Sequence, residues 1–173
     1  MIRRLVAFAL APVLMAAPAL AQTVVIVRHG EKSAPSGDVD LSAAGQARAQ
    51  ALAQTLAGAK VGMVLATPLK RTQQTAAPSA QAAGVAIAPI GFDGGDAAHA
   101  RRVADAARKA PADATVLIVG HSNTVAAIAG ALGDPSPTAL TDCDYDTLTV
   151  IQLDGAAAPK VLHTRYGAPT QAC

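Results

Sequence analysis

Four short segments of this chain hold residue types that could do chemistry together. Arg28-His29-Gly30-Glu31 sets a guanidinium, an imidazole and a carboxylate around a glycine. Arg71 follows Thr67-Pro68-Leu69-Lys70. Asp93 and Asp96 lie in the glycine-rich stretch 91–96, and His121 is followed by Ser122, Asn123 and Thr124. Two arginines with N–H donors at a helix start describe an anion site, and phosphate is its best match. Two imidazoles beside that anion add a nucleophile or an acid–base candidate. Each residue alone has a commoner use. A lone arginine forms a surface ion pair, an aspartate among glycines shapes a turn, and a histidine at a strand end is usually structural. Glu31 with two histidines would also suit zinc, but neither helical His-x-x-x-His nor Cys-x-x-Cys spacing is present. No metal and no cofactor is therefore expected.

For these segments to meet, each must leave the same edge of one sheet. The pattern supplies that. Residues 23–27 (TVVIV) and 115–119 (TVLIV) are continuous apolar, β-branched runs, as expected of strands buried on both faces. Further strands are expected at 61–66 and 85–90. Helices are expected at 43–57 after the N-cap Ser42, at 71–83 with Pro78 shortening or kinking it, at 97–109 and at 123–132. Strands at 147–153 and 160–166 around Asp154-Gly155 read as a closing hairpin. Strand–helix alternation predicts an α/β fold, a three-layer α/β/α sandwich with a mainly parallel sheet and a C-terminal antiparallel hairpin. In such sheets ligands sit at the carboxyl ends of the strands, where all four segments fall.

The segments VVIVRHGEK (24–32), LSAAGQARAQALA (41–53), ATPLKRTQQTA (66–76) and VGHSNT (119–124), in this order, resemble the histidine phosphatase superfamily, the phosphoglycerate-mutase-like enzymes. The likeness is closest to the small single-domain bacterial phosphatases of the branch without a large cap. It implies that His29 is the nucleophile that takes the phosphoryl group as phosphohistidine. It implies that Arg28, Arg71, His121 and Ser122 hold that group. It also implies that a carboxylate after the third strand, Asp93 before Asp96, protonates the leaving alcohol, and that Glu31 does not. Physical chemistry agrees, because two guanidiniums lower the pKa of a neighbouring imidazole and leave its attacking nitrogen bare. The short 91–96 segment and the continuation Lys32-Ser33-Ala34-Pro35 lack the extra substrate-gripping residues of mutases, which favours hydrolysis over phosphoryl shuttling. Ser122 after the second histidine, where the acid phosphatase branch has Asp, separates the chain from that branch. Two other readings share the residues: a phosphate or phospho-glycan binding module without turnover, and a protein phosphohistidine phosphatase.

Composition narrows the field further. The chain has 173 residues, 51% hydrophobic but only 15% charged, which excludes a disordered protein, and two cysteines are too few for a disulfide scaffold. Residues 1–21 carry Arg3 and Arg4, an apolar stretch and Ala19-Leu20-Ala21, the pattern of a cleaved secretory signal. The expected organisation is a signal peptide at 1–21 and one domain at 22–173, placed in the periplasm or secreted, with no membrane insertion after cleavage. Beyond Arg4 the chain holds 12 basic and 12 acidic residues. A nucleic-acid partner is therefore not expected, and a small phosphorylated substrate is. Export would permit one disulfide between Cys143 and Cys173. His99 is expected on a solvated helix face and His163 in a structural role. Phe92, Tyr145 and Tyr166 are expected to pack, or to line the pocket.

Overall fold

The computed structural model describes residues 21–155 and 157–170. The expected signal segment, 1–21, apart from Ala21, and Cys173 lie outside the described residues. Ten elements follow one another. They are β1 (Gln22–Arg28), α1 (Ala43–Thr55), β2 (Val61–Ala66), α2 (Lys70–Ala83), β3 (Ile87–Pro89), α3 (Gly95–Ala107), β4 (Thr115–Gly120), α4 (Val125–Ala131), β5 (Thr147–Leu153) and β6 (Lys160–Arg165). The strands form one sheet in the order β3-β2-β4-β1-β5-β6. The first four are mutually parallel, and β5 runs antiparallel to both β1 and β6. This is the expected sandwich with its closing hairpin.

Successive side chains of a strand point to opposite faces, and here each face has its own helices. Val24 and Ile26 of β1 join Val116 and Ile118 of β4 under α3 and α4, against Val103, Ala104, Ile128 and Leu132. Val25 and Val27 join Leu117 and Val119 under α1 and α2, against Leu52, Ala76 and Ala80. Both faces are covered, which is why the two central strands read as unbroken apolar runs. Alanine on the inner helix faces lets the helices approach the sheet closely, so a chain with few aromatics still closes its core. Tyr166 belongs to the α1/α2 side of this core.

Three elements differ from expectation. α2 runs through Pro78 to Gly84, which ends it in the left-handed conformation. Pro78 has no N–H to give the Gln74 carbonyl, yet one missing bond in fourteen residues does not stop a helix packed on α1 and β2. β3 spans only three residues because it is the sheet edge and Pro89 cannot donate to a ladder. α4 begins at Val125, since Thr124 turns back to accept the His121 N–H on its hydroxyl (3.0 Å). Among the described residues no helix is long and apolar enough to cross a membrane.

Candidate active site

Strand register brings the site together. Arg28 of β1 lies opposite Gly120 of β4, so the residues that follow, His29 and His121, leave the sheet side by side. The His29 N–H donates to the Gly120 carbonyl (3.0 Å). The two imidazole centroids are 5.2 Å apart, and both side chains are buried. Ala66 of β2 pairs with Val119, which sets Thr67 beside the start of the His121 turn. Ile90 reaches the same edge through its N–H to the Ala66 carbonyl (2.8 Å) and delivers Phe92, whose ring lies 5.2 Å from that of His121.

The hydrogen bonds define the protonation of both imidazoles. His29 Nδ1 lies 2.7 Å from the Gly30 carbonyl oxygen. A carbonyl only accepts, so Nδ1 carries the proton and Nε2 keeps a free lone pair. Burial lowers the His29 pKa to about 4, and the charges of Arg28, Arg71 and Lys32 add to the shift. Burial likewise lowers His121 to about 3, helped by His29 and Arg71. Both rings are neutral at pH 7. His121 Nε2 meets the Thr67 hydroxyl (3.0 Å), which meets the Thr72 hydroxyl (2.8 Å). Thr72 has one proton and two carbonyls within reach, those of Thr67 (2.9 Å) and Leu69 (2.8 Å). With that proton on a carbonyl, Thr67 donates to Thr72 and accepts from His121. His121 therefore carries its proton on Nε2 and leaves Nδ1 bare towards Arg71 Nη2 (3.4 Å).

The two arginines are held but not satisfied. Arg28 is only 3% exposed and donates through Nη1 to the Thr141 carbonyl (2.7 Å). Its guanidinium lies 4.0 Å over the Tyr145 ring, and its Nη2 is 3.7 Å from the exposed carboxylate of Asp142. Arg71 Nη1 reaches the Gly37 carbonyl (3.4 Å). The Nε–H groups of Arg28 and Arg71 are both buried without a hydrogen-bond partner among the described residues. A buried guanidinium donor is costly to leave unmade. Such donors are the kind that bind anionic oxygens.

Other expected site residues fall in different places. Ser122 is half-buried, and its hydroxyl donates to Asp142 (3.3 Å), so it faces the Arg28 side of the site. Asp96 accepts from the Asn123 amide (2.7 Å). Asp93 is exposed on the loop whose neighbouring residue, Phe92, packs on His121. Glu31 is taken by Arg48, which donates to it through Nε (3.0 Å) and Nη2 (2.6 Å). Burial pushes the Glu31 carboxyl up. Hydrogen bonds and charge from Arg48 outweigh this and hold it below its ordinary value, so Glu31 stays ionised. His99 corrects an expectation. It is 1% exposed rather than solvated, because 99, 103 and 107 share the inner face of α3. Its Nδ1 donates to the Gly91 carbonyl (2.9 Å), and its ring packs on Phe92 at 4.7 Å, fixing the 91–96 loop. His163 lies in β6, bonded to Thr149 (3.2 Å) and near Asp134 (3.3 Å).

Tyr145, expected to pack or to line the pocket, does both: the loop before β5, Thr141 to Asp146, carries it against Arg28 with its ring 6.0 Å from that of His29. Two further features escaped the sequence reading. Arg48 is buried at a core position of α1, in step with Gly45, Ala49 and Leu52. A charge at the inner position of a helix must have a partner, a signal that was readable. Gly30 and Gly45 touch, backbone to backbone, where α1 meets the segment after His29. Cys143 is disulfide-bonded. No group of three or more His, Cys, Asp or Glu among the described residues is arranged to hold a metal ion.

Comparison with known proteins points one way. The family model of the histidine phosphatase superfamily (branch 1) matches residues 24–91. Protein Rv0525 of Mycobacterium tuberculosis is 45% identical over 64 residues, which cover 33% of this chain and 32% of that protein. The chain thus matches about a third of the length of that relative. A Nakamurella multipartitia structure described as a phosphohistidine phosphatase SixA superposes with a TM-score of 0.64 at 25% identity, over 88% of this chain and 100% of that one. The mycobacterial glucosyl-3-phosphoglycerate phosphatase Rv2419c, in complex with inorganic phosphate, has the same fold, with a TM-score of 0.62 at 19% identity. That match covers 84% of this chain and 97% of its own.

Proposed function

We propose that this chain, which belongs to the histidine phosphatase superfamily, hydrolyses phosphomonoesters through a phosphohistidine on His29. The observation that carries the reading is the bare Nε2 of His29 on a buried ring that feels the charges of both Arg28 and Arg71. In the first step the Nε2 lone pair attacks phosphorus and the P–O bond to the alcohol breaks. Arg28 and Arg71 stabilise the charge on the equatorial oxygens, and the leaving oxygen takes a proton from a carboxylic acid. In the second step water attacks the phosphohistidine, its proton returns to that carboxylate, and inorganic phosphate leaves with His29 neutral again. His121, beside His29, is assigned to the same phosphoryl group, to which its Nδ1 can donate only once it takes a proton, since Nε2–H is given to Thr67. The proton donor is assigned to Asp93, on the loop that Phe92 and His99 hold over His121, with Asp96 second. The sequence pattern of residues 1–21 supports export of the enzyme.

Release of phosphate from a panel of monoesters by wild type, and its loss in a folded His29→Ala variant, tests the reading. A protein that releases none from any ester contradicts it. Asp93→Asn should slow alkyl phosphates at least tenfold more than activated aryl phosphates, whose leaving groups need no proton. Equal losses would move the assignment to Asp96. A protein phosphohistidine phosphatase is the second reading, favoured by the 25% identical neighbour described as such. It predicts faster turnover of a phosphohistidine peptide than of any phosphomonoester.

A further inference from the structure

A cavity of about 470 Å³ lies beside the phosphoryl site, between the first half of α1, the 141–146 loop and residues 168–170. Tyr145 is common to both places. It lines the cavity, carries Arg28 over its ring at 4.0 Å, and faces the His29 ring at 6.0 Å. Tyr145 thus borders both the cavity and the imidazole that would carry the phosphoryl group, and Glu31, two residues after His29, is in the cavity wall. Its apolar walls include the methyls of Ala44 and Ala47, the Tyr145 ring and Pro169, with the disulfide-bonded Cys143 and Thr170 completing the rim. Its charged lining groups, Glu31 and Arg48, are spent on each other. Arg48 gives Nε and Nη2 to Glu31, and Nη1 to the carbonyls of Tyr166 (3.2 Å) and Ala168 (3.0 Å). An anionic group entering here would meet an ionised Glu31 and a cation whose donors are already engaged. A hydrocarbon or aromatic group would lose water against four apolar walls, the usual make-up of a small-molecule pocket.

We infer that this cavity receives the alcohol half of the substrate, and that the enzyme selects monoesters of apolar alcohols over those bearing a second anionic group. The inference rests on the phosphatase reading for where the phosphoryl group sits, but its test does not need turnover. Hexylphosphonate, ethylphosphonate and 3-phosphonopropionate differ only in what would enter the cavity. A buried methylene strengthens binding about fourfold, so even two of the four extra methylenes seated in the cavity give about a tenfold advantage. Calorimetry on the whole protein should find hexylphosphonate bound at least tenfold more tightly than ethylphosphonate, and 3-phosphonopropionate more weakly than either. Ala47 is exposed on α1, and Ala47→Phe should fill the cavity without disturbing the core. It should cut the hexyl advantage below about threefold and leave ethylphosphonate within twofold of wild type. If that variant does not fold, Ala44→Leu makes the same test from the previous turn. Equal binding of the two alkyl compounds by wild type, or a hexyl advantage that survives the filled cavity, overturns the inference. Turnover of hexyl, ethyl and aryl phosphates is measured separately. Release from none of them would sink the phosphatase reading while chain-length-dependent binding would still stand.

Discussion

Replacing Gly45 by alanine should cost more than any other one-carbon change in this protein. A Cβ at position 45 would stand 2.3 Å from the Glu31 carbonyl oxygen and 2.9 Å from the Glu31 nitrogen. The obstruction is reciprocal, since a Cβ at Gly30 would stand 2.8 Å from the Gly45 carbonyl oxygen. Both obstacles are backbone, so no side chain can swing aside. Ordinary contact begins near 3.4 Å, which means that α1 and the Arg28–Glu31 segment must separate by about 1 Å. The Glu31 carbonyl also accepts the Ser42 N–H (2.9 Å), a bond that this movement would lengthen or break. Overpacking of this kind costs about 1–3 kcal/mol, and a lost hydrogen bond about 1 kcal/mol more. The same 1 Å moves His29 relative to Arg71 and His121, and a misplacement of that size can cost about 100-fold in rate. Urea unfolding should show Gly45→Ala destabilised by about 2–4 kcal/mol, and kcat/KM on an aryl phosphate should fall by about two orders of magnitude. Gly58→Ala is the control. Gly58 has φ +86 with open space around it, so it should lose about 1 kcal/mol through backbone strain and keep full kcat/KM. A Gly45→Ala protein whose unfolding free energy stays within about 0.5 kcal/mol of wild type and whose kcat/KM stays within about twofold would refute the contact argument.

Other outcomes follow from the two imidazoles and their supports. Protonated His29 has no lone pair to attack with, so kcat/KM should rise with pH through about 4 and show no limb from His29 near 6.5; a His29-dependent limb near 6.5 would contradict its burial. Both histidines titrate lower in the folded chain than in the unfolded one, which therefore takes up protons first as pH falls. Their contribution to stability is complete above about pH 6.5 and is lost progressively towards pH 4 and 3. Urea unfolding at pH 5 against pH 7.5 should show a loss on the order of 2 kcal/mol per histidine, largely absent from a His29→Ala, His121→Ala double variant. Thr67→Val removes the acceptor for His121 Nε2–H and should destabilise by about 1–3 kcal/mol. It should also lower kcat/KM about tenfold by freeing the His121 tautomer, whereas Thr67→Ser should stay within about twofold. Equal effects of Val and Ser on kcat/KM would make Thr67 a packing residue only.

The sheet was legible because burial on both faces leaves a plain mark, unbroken runs such as Val24–Val27 and Val116–Val119. The hairpin was legible from Asp154-Gly155 between two alternating runs. Arg28, His29, Arg71 and His121 were legible because each directly follows a strand or opens a helix at the carboxyl edge, and parallel pairing then gathers them. What escaped depends on partners distant in the chain. Arg48 escaped although its place in step with Gly45, Ala49 and Leu52 marked it as inward, and its partner Glu31 lies 17 residues away in sequence. His99 is a polar residue between alanines, with Asp96, Arg101 and Arg102 close by in sequence, yet α3 turns it inwards onto Phe92. The Tyr145 loop precedes β5 without apolar pattern or glycine signal, and its value arises only where it crosses Arg28. The proton donor was the least legible, because a carboxylate in a short glycine loop reads the same whether it shapes a turn or gives up a proton.

The most direct test of the central claim is to trap the enzyme during turnover. Wild type and His29→Ala are mixed with a radiolabelled aryl phosphate, quenched without acid within milliseconds, and examined for protein-bound label. Wild type should carry a transient label that is stable to base, released by acid and absent from the variant. Phosphate release by wild type with no such label, undiminished in His29→Ala, would contradict nucleophilic attack by His29.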